Sequence, residues 1–210
     1  DVIKAPPYNL PTFPQILADG GYDTAAFGKM HFMPFRRHNG FNRMELMEEI
    51  PRFREDDDYA MFLKEHGHGN VQSIHGVRNL LYMLPQRSFI PEELHGSRWV
   101  ADRTINYLEN NRGNRPFMVW ASFIEPHPPF DVPDSVAGLY EGAVLPEPKV
   151  SKTPLSPRAV ENRAIADYPD GSYLKRVKEL YYASISFVDK QIGRILEKLE
   201  EYGLLDNTLI

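Results

Sequence analysis

The chain has 210 residues, of which 42% are hydrophobic and 25% are charged, a composition typical of globular proteins. Its net charge of −5 argues against a nucleic-acid partner, so an anionic ligand would have to be attracted by a local basic site. The absence of cysteine excludes disulfides, thiolate metal sites and a cysteine nucleophile within these residues. No apolar run approaches the length of a membrane span and no signal peptide opens the chain, so we expect no membrane span.

The first part of the chain predicts a helix, a strand and a long loop. Thr12 is a suitable N-cap for a short helix that ends at Gly20. Residues 22–27 then predict a short buried strand. Residues 32–54 show no sustained period and predict a loop. A short helix is expected around residues 56–65, because its acidic start suits the helix dipole.

The middle of the chain pairs a helix with a strongly apolar strand. A helix is predicted from about residue 97 to about residue 110. The nearly continuous apolar run 117–123 predicts a strand that is buried on both faces and central in a parallel or mixed sheet. Trp99 and Trp120 are interpreted as core residues. This alternation of helix and strand favours an α/β fold.

The last part of the chain predicts a loop and a long helix. Residues 126–170 are rich in proline and are expected to form surface loop. A helix follows over residues 173–202, and Leu209-Ile210 is expected to begin a further strand. Both ends of the chain are interpreted as cuts through a larger protein. Apolar residues at three- and four-residue steps predict the buried face of the helix, namely Val177, Tyr181, Val188, Ile192, Ile195 and Leu199.

A lysine and a histidine lie two positions apart where the first predicted strand ends, in Gly28-Lys29-Met30-His31. In an extended segment this spacing places Lys29 and His31 on the same face. A lysine supplies positive charge and three donors, and a histidine exchanges protons near neutral pH, so the pair suits an oxyanion. The same spacing also fits a lysine and a histidine on an exposed loop.

A second histidine follows the apolar run 117–123, in Pro126-His127-Pro128-Pro129. The prolines restrict the backbone, so the His127 imidazole would be held with little conformational entropy left to lose. Because ligand sites of α/β sheets form at strand ends, His127 is a candidate for the same site. A turn histidine that caps the strand is the alternative.

Other polar clusters give weaker signals. Arg36 and Arg37 are candidate substrate contacts, although a solvated loop also explains them. The acidic run 55–58 is better explained as a solvated helix start than as a cation site. Ser156 has no nearby base in the sequence and is not interpreted as a nucleophile.

Several motifs follow one another in a set order along the chain. They are the helix and strand of residues 11–24, Gly28-Lys29-Met30-His31, Gly40-Phe41-Asn42, the strand and Pro-His segment 115–130, and the helix and turn from residue 181 to residue 208. Together they resemble the sulfatase family of the alkaline-phosphatase-like superfamily, with Met30 where the family often has Trp. The resemblance implies a mixed, mostly parallel sheet flanked by helices, here truncated at both ends.

The resemblance also implies a reaction and a role for each site residue. Sulfatases hydrolyse sulfate esters with a hydrated formylglycine nucleophile and a calcium ion. By position, Lys29 would contact both the sulfate and the nucleophile, and His31 would hydrogen-bond the nucleophile and help to expel sulfate. His127 would bind a sulfate oxygen close to the leaving group.

The chain departs from the family pattern in three places. It has no Cys/Ser-x-Pro/Ala-x-Arg segment, no paired aspartates near a first strand and no Ser-Asp-His-Gly segment. We therefore interpret residues 1–210 as the central part of a sulfatase catalytic domain. The calcium ligands and the nucleophile are expected in the intact parent, outside this chain, and the chain alone is expected to be inactive.

Two other functions remain open at this point. A phosphonate or phosphodiester hydrolase of the same superfamily would use the same lysine and histidines, because those side chains do not separate sulfate from phosphate. A non-catalytic module that binds anions or glycans would keep the scaffold without the chemistry. The substrate is expected to be a small-molecule or glycan sulfate ester, and family analogy suggests a periplasmic or secreted location.

Overall fold

The computed structural model describes residues 10–77, 85–111, 114–147 and 171–210. These residues belong to two compact units, and each unit is described by itself. Unit 1 is formed by Asp1–Asn70, Gly96–Ile124 and Lys190–Ile210, and unit 2 is formed by Val71–His95 and Glu125–Asp189.

Unit 1 contains a three-stranded parallel sheet. Its strands are β1 (Asp23–Gly28), β2 (Arg43–Leu46) and β4 (Phe117–Ser122), in the order β2-β1-β4. The central strand β1 is fully buried along Thr24 to Phe27. The registers pair Gly28 with Leu46 on one side and with Ser122 on the other. The α/β class and the parallel sheet are therefore confirmed, and the carboxyl ends of all three strands lie at one edge.

Three helices of unit 1 begin where their sequences provide a cap or an apolar face. They are α1 (Phe13–Asp19), α2 (Asp58–Leu63) and α3 (Gly96–Asn111). The Thr12 hydroxyl accepts a hydrogen bond from the Gln15 amide, as expected of an N-cap. Helix α3 buries Trp99, Val100, Thr104, Tyr107 and Leu108, so the prediction for Trp99 is confirmed.

The predicted position of the 117–123 strand is wrong within the described part of the sheet. Strand β4 lies at an edge with β1 as its neighbour, and 49% of the Trp120 surface is exposed. A continuous apolar run shows that a strand is apolar on both faces, but it does not show how many strands flank it. The assignment of Trp120 to the core is therefore also wrong.

The region predicted as one loop, residues 32–54, contains a strand. Strand β2 occupies four residues of it, and Met44 and Leu46 are buried while Arg43 is exposed. The alternation is only four residues long, which is why it shows no sustained period. Short 3₁₀ helices cover Arg54–Asp56 and, at the other end of the chain, Leu205–Asn207. Within the described part of the chain, Leu209 and Ile210 do not belong to a strand.

Unit 2 contains a two-stranded parallel sheet and the first part of a long helix. The strands are β3 (Pro85–Arg87) and β5 (Phe130–Val132), and the helices are α4 (Asp134–Ala137) and α5 (Gly171–Glu201). Helix α5 contributes its residues to unit 2 as far as Asp189. A 3₁₀ helix covers Glu92–Leu94. The unit packs around Phe130, Val132, Ala137, Val177 and Leu180.

The buried face of α5 is rotated from the predicted one. Val177 and Leu199 are buried as expected, but Tyr181 and Ile192 are 37% and 39% exposed. The buried positions also include Leu180, Ala183, Ser184, Phe187 and Gln191. Polar side chains on the buried face, among them Glu179, Ser184 and Gln191, interrupt the apolar pattern, so the sequence does not show the whole buried stripe.

The proline-rich stretch predicted as loop is in part regular, since β5 and α4 lie within it. Residues 148–170, including Ser156, lie outside the described residues. No helix in the described part of the chain is both long enough and apolar enough to cross a membrane.

Candidate active-site segments

The loop that follows β1, residues 28–31, begins at a position that requires glycine. Gly28 has φ of 106°, and a Cβ atom there would lie 1.9 Å from the Ser122 carbonyl oxygen. The next amide, that of Lys29, donates to the same Ser122 oxygen at 3.1 Å. The main chain therefore leaves the sheet at Gly28, in a conformation that other residues rarely adopt.

The Lys29 ammonium group forms an ion pair. Its Nζ lies 2.6 Å from Oε2 of Glu49, and the two side chains are only 20% and 12% exposed. An ammonium group has three N–H donors, so the bond to Glu49 leaves two for other acceptors. The ion pair fixes the position of the lysine charge and lowers the net charge around it.

His31 lies on an unusual backbone. Its φ is 55°, in the left-handed region that non-glycine residues rarely enter. The amides of Met30 and His31 both donate to Oε1 of Glu48, at 3.0 Å and 2.8 Å, and the His31 side chain is exposed. The premise that Lys29 and His31 share a face of an extended segment is therefore wrong, because the strand ends at Gly28 and the loop then turns.

A buried carboxylate holds Glu48 in turn. Asp57 is the N-cap of α2, accepting from the Ala60 amide at 2.7 Å and from the Glu48 amide at 2.6 Å. Burial raises the pKa of Asp57 to about 7, against the opposing effect of these two hydrogen bonds. Residues 55–58 thus include a capping residue, so the predicted helix start is confirmed. The interpretation of this run as solvated is wrong at Asp57, which is fully buried.

His127 lies in unit 2, in the segment between β4 and β5. Its side chain is half-buried, and its Nδ1 lies 2.6 Å from the carbonyl oxygen of Pro128. Because a carbonyl oxygen can only accept, Nδ1 carries the proton in this contact. In the neutral ring Nε2 is then an acceptor, and it becomes a donor when the ring is protonated.

The two candidate substrate contacts lie in different surroundings. The guanidinium group of Arg36 forms two hydrogen bonds to the Asp58 carboxylate, at 2.7 Å and 3.1 Å. Arg37 lines a surface cavity of about 310 Å³, together with Leu10, Pro11, Thr12, Gln15, Asn39 and Gly40. A substrate-binding role for either arginine stays a prediction.

The remaining question is a metal site within residues 10–77, 85–111, 114–147 and 171–210. Within them, no group of three or more His, Cys, Asp or Glu side chains is arranged to hold a metal ion. The described residues therefore supply cationic and proton-exchanging groups, and they do not fit a bound cation.

Sequence reasoning missed Glu48 and Glu49, which bond to the 28–31 loop, and the contact of Asp57 with the Glu48 amide. A signal for the first two was present, since parallel strands end at the same edge of a sheet. Gly28 pairs with Leu46, so the residues that follow these two strands leave the sheet side by side. A strand at residues 43–46 would have predicted the two glutamates beside the loop.

The family model that matches this chain describes sulfatases, and two of the curated relatives that match it are sulfatases. A family model described as Sulfatase matches residues 2–210. An arylsulfatase of Clostridium perfringens is 31% identical over 205 residues, which cover 90% of this chain and 43% of that protein. A choline-sulfatase of Rhizobium meliloti is 26% identical over 215 residues, covering 96% of this chain and 41% of that protein. The chain thus spans less than half the length of these curated relatives.

Solved structures share the fold. The structure of BT4656 in complex with its substrate D-glucosamine-2-N,6-O-disulfate matches with a TM-score of 0.62 at 18% identity, covering 99% of this chain and 50% of that one. The structure of Ps i-CgsB in complex with k-i-k-neocarrahexaose matches with a TM-score of 0.56 at 15% identity, covering 98% of this chain and 40% of that one.

Proposed function

Because this chain belongs to the sulfatase family, we propose that the full-length gene product hydrolyses sulfate esters. The observation that carries the proposal is the family match over residues 2–210, within which the 28–31 loop lies at the carboxyl end of the central strand. Ligands of open parallel sheets bind at this edge.

Lys29 is proposed to bind the sulfate group. A sulfate monoester carries a single negative charge, and Lys29 offers one positive charge and two donors beyond its bond to Glu49. The glutamate holds the ammonium group in place before substrate arrives, which lowers the cost of ordering it on binding.

His31 is proposed to act in proton transfer to and from the nucleophile. Its imidazole is exposed at the end of the loop, where it is accessible to a reacting group, while the backbone beneath it is held by Glu48.

His127 is proposed to donate to a sulfate oxygen near the leaving group. Since its Nδ1 proton is directed at the Pro128 carbonyl, this donation uses Nε2 and requires the protonated ring. The protonated ring would also place positive charge where negative charge develops in the transition state.

Sulfatases generally use a divalent cation. For this protein we propose calcium and a formylglycine nucleophile, contributed by other residues of the full-length product. When bound, the cation would polarise the sulfate group. Within the described ranges no cluster of side chains fits such an ion. We propose that the 210 residues alone lack turnover, because the cation and the nucleophile supply most of the barrier reduction.

The test is turnover by the full-length gene product on matched aryl esters. We expect hydrolysis of 4-nitrophenyl sulfate to exceed hydrolysis of the corresponding phenylphosphonate ester. The reverse preference would replace this function with a phosphonate or phosphodiester hydrolase of the superfamily. A multifunctional alkaline phosphatase superfamily protein of Trinickia caryophylli is 26% identical over 181 residues, which makes that comparison necessary.

A product that hydrolyses neither ester but binds sulfate, and loses that binding in Lys29→Ala, would instead be an anion- or glycan-binding module. If 4-nitrophenyl sulfate is hydrolysed, a panel of small-molecule and glycan sulfates will define the substrate class.

A further inference from the structure

We propose that Glu48 is a positioning residue for the reaction, fixing the backbone of Met30 and His31 so that the His31 imidazole is held for catalysis. The catalytic consequence rests on the proposed function. The structural part, a buried carboxylate that organises the loop, stands without it.

The contact is of an unusual kind. Two successive backbone amides converge on one carboxylate oxygen, Met30 at 3.0 Å and His31 at 2.8 Å. Successive N–H groups beside a left-handed residue form a concave anion-binding site. Here the anion is the side chain of Glu48, which is only 3% exposed. Hydrogen bonds to an ionised acceptor are shorter and stronger than neutral ones, and exclusion of water strengthens them further.

The backbone at His31 needs such a partner. A non-glycine residue at φ of 55° is disfavoured by contact between its Cβ and the main chain, and the surrounding structure must stabilise it. Glu48 provides this stabilisation at the residue whose side chain is proposed to move a proton.

The main chain at Glu48 is held in place by hydrogen bonds to a helix and, one residue before it, to a strand. Its amide donates to Asp57, the N-cap of α2, a helix that buries Tyr59 and Leu63. On the strand side, the Met47 amide donates to the Gly28 carbonyl at 3.0 Å. The main chain at Glu48 is therefore anchored by a strand pairing and a helix cap, and a side chain that extends from such a support can fix a catalytic group within the small tolerance that catalysis needs.

The test compares three variants of the full-length gene product. Glu48→Leu removes the acceptor, Glu48→Gln keeps a carbonyl oxygen, and Glu45→Gln alters a carboxylate of β2 whose contacts are Arg43 and Arg103. We expect Glu48→Leu to lower kcat for 4-nitrophenyl sulfate about 100-fold with little change in KM, because small misplacements of catalytic groups have effects of this size. Glu48→Gln should recover most of the loss, and Glu45→Gln should match the wild type.

A second readout does not depend on activity. Hydrogen–deuterium exchange of peptides that cover residues 28–33 reports on the Met30 and His31 amides, which lie outside helices and strands. We expect protection of both amides in the wild type, loss of that protection in Glu48→Leu, and retention in Glu45→Gln. If Glu48→Leu does not fold, amide exchange in the wild type still tests the contact, because unprotected Met30 and His31 amides would overturn it.

The two ways of failing are distinguishable. Unprotected Met30 and His31 amides in the wild type, or full kcat in a folded Glu48→Leu protein whose Lys29→Ala counterpart is inactive, would overturn the positioning role and leave the function intact. A wild type without sulfatase activity but with Glu48-dependent protection would overturn the proposed function and keep the structural part.

Discussion

The two proposed anion-binding segments are held in opposite ways. In the 28–31 loop the backbone amides of Met30 and His31 bond to Glu48, and the Lys29 side chain bonds to Glu49, so the partners lie 17 to 20 positions away along the chain. In the 126–129 segment the His127 ring bonds to the carbonyl of the next residue, and prolines lie on both sides of it. One segment takes its geometry from its neighbours in the fold, and the other takes much of it from its own sequence.

This difference shows which parts of a site can lose their geometry through substitutions at distant positions in the sequence. A local turn keeps its shape as long as its own residues are intact. A loop organised by buried carboxylates depends on side chains that never touch substrate, so it can lose function through substitutions far from it in sequence.

The largest expected effect is on turnover, in a double-mutant cycle. His31→Ala and His127→Ala should each lower kcat/KM about 100-fold or more, the usual size for losing one positioned transition-state contact. Adding Glu48→Leu should cost little more in the His31→Ala background, since Glu48 is proposed to act through His31.

In the His127→Ala background, adding Glu48→Leu should lower kcat/KM by the same factor as it does in the wild type. The measurement is kcat/KM for 4-nitrophenyl sulfate. If Glu48→Leu lowers kcat/KM by the same factor in the His31→Ala and His127→Ala backgrounds, Glu48 acts independently of His31 and the proposed positioning role is wrong.

The next effect is on stability and concerns the Lys29–Glu49 pair. Lys29→Met removes the cation from a carboxylate that is 12% exposed, and we expect a loss of about 1–3 kcal/mol in the free energy of unfolding. Adding Glu49→Gln should restore most of it, because the buried negative charge is gone. Urea denaturation of the full-length variants measures both values, and no recovery in the double variant would mean that the pair does not stabilise the loop.

A pH effect is expected from Asp57. Its pKa of about 7 in the folded protein exceeds the ordinary value of 3.8, so the folded state binds the proton more tightly than the unfolded state. This contribution to stability is present at low pH and is lost as pH rises from about 4 to about 7.

The substitution Asp57→Asn removes the titratable carboxyl group. The stability of the variant relative to the wild type should therefore rise with pH over that window, by at most about 1.4 kcal/mol per pH unit. Urea denaturation at pH 5, 6, 7 and 8 tests this expectation. A constant difference between the two proteins would contradict it.

The smallest effect is expected at Arg36. Its ion pair with Asp58 joins two side chains that are 43% and 32% exposed, so Arg36→Ala should change stability by about 1 kcal/mol or less. A rise in KM at unchanged kcat would support the predicted substrate contact, and an unchanged KM would remove Arg36 from the site.

Much of the fold was readable from local sequence. The Thr12 cap, the apolar segment before Gly28 and the long periodic helix each predicted an element that the structure contains. The failures have a shared cause, because the edge position of β4 and the rotated face of α5 depend on which surfaces pack together. Periodicity within one segment does not contain that information.

The candidate site, like the fold, was predictable from the sequence only in part. Lys29 and His31 follow a strand, and that placement pointed to the sheet edge. The left-handed backbone of His31 was not predictable, since it depends on Glu48, a residue that becomes its neighbour only once β2 pairs with β1. A four-residue strand was too short to be recognised, and the residues that follow it were therefore missed.

The most direct test of the account is sulfate ester turnover by the Lys29→Met/Glu49→Gln variant of the full-length gene product, compared with the wild type at equal folded fraction. Restored stability together with a loss of about 100-fold or more in kcat/KM for 4-nitrophenyl sulfate is the predicted result, because the variant keeps the loop and lacks the cation. Turnover close to that of the wild type would contradict the account, since Lys29 would then have no part in binding the sulfate group.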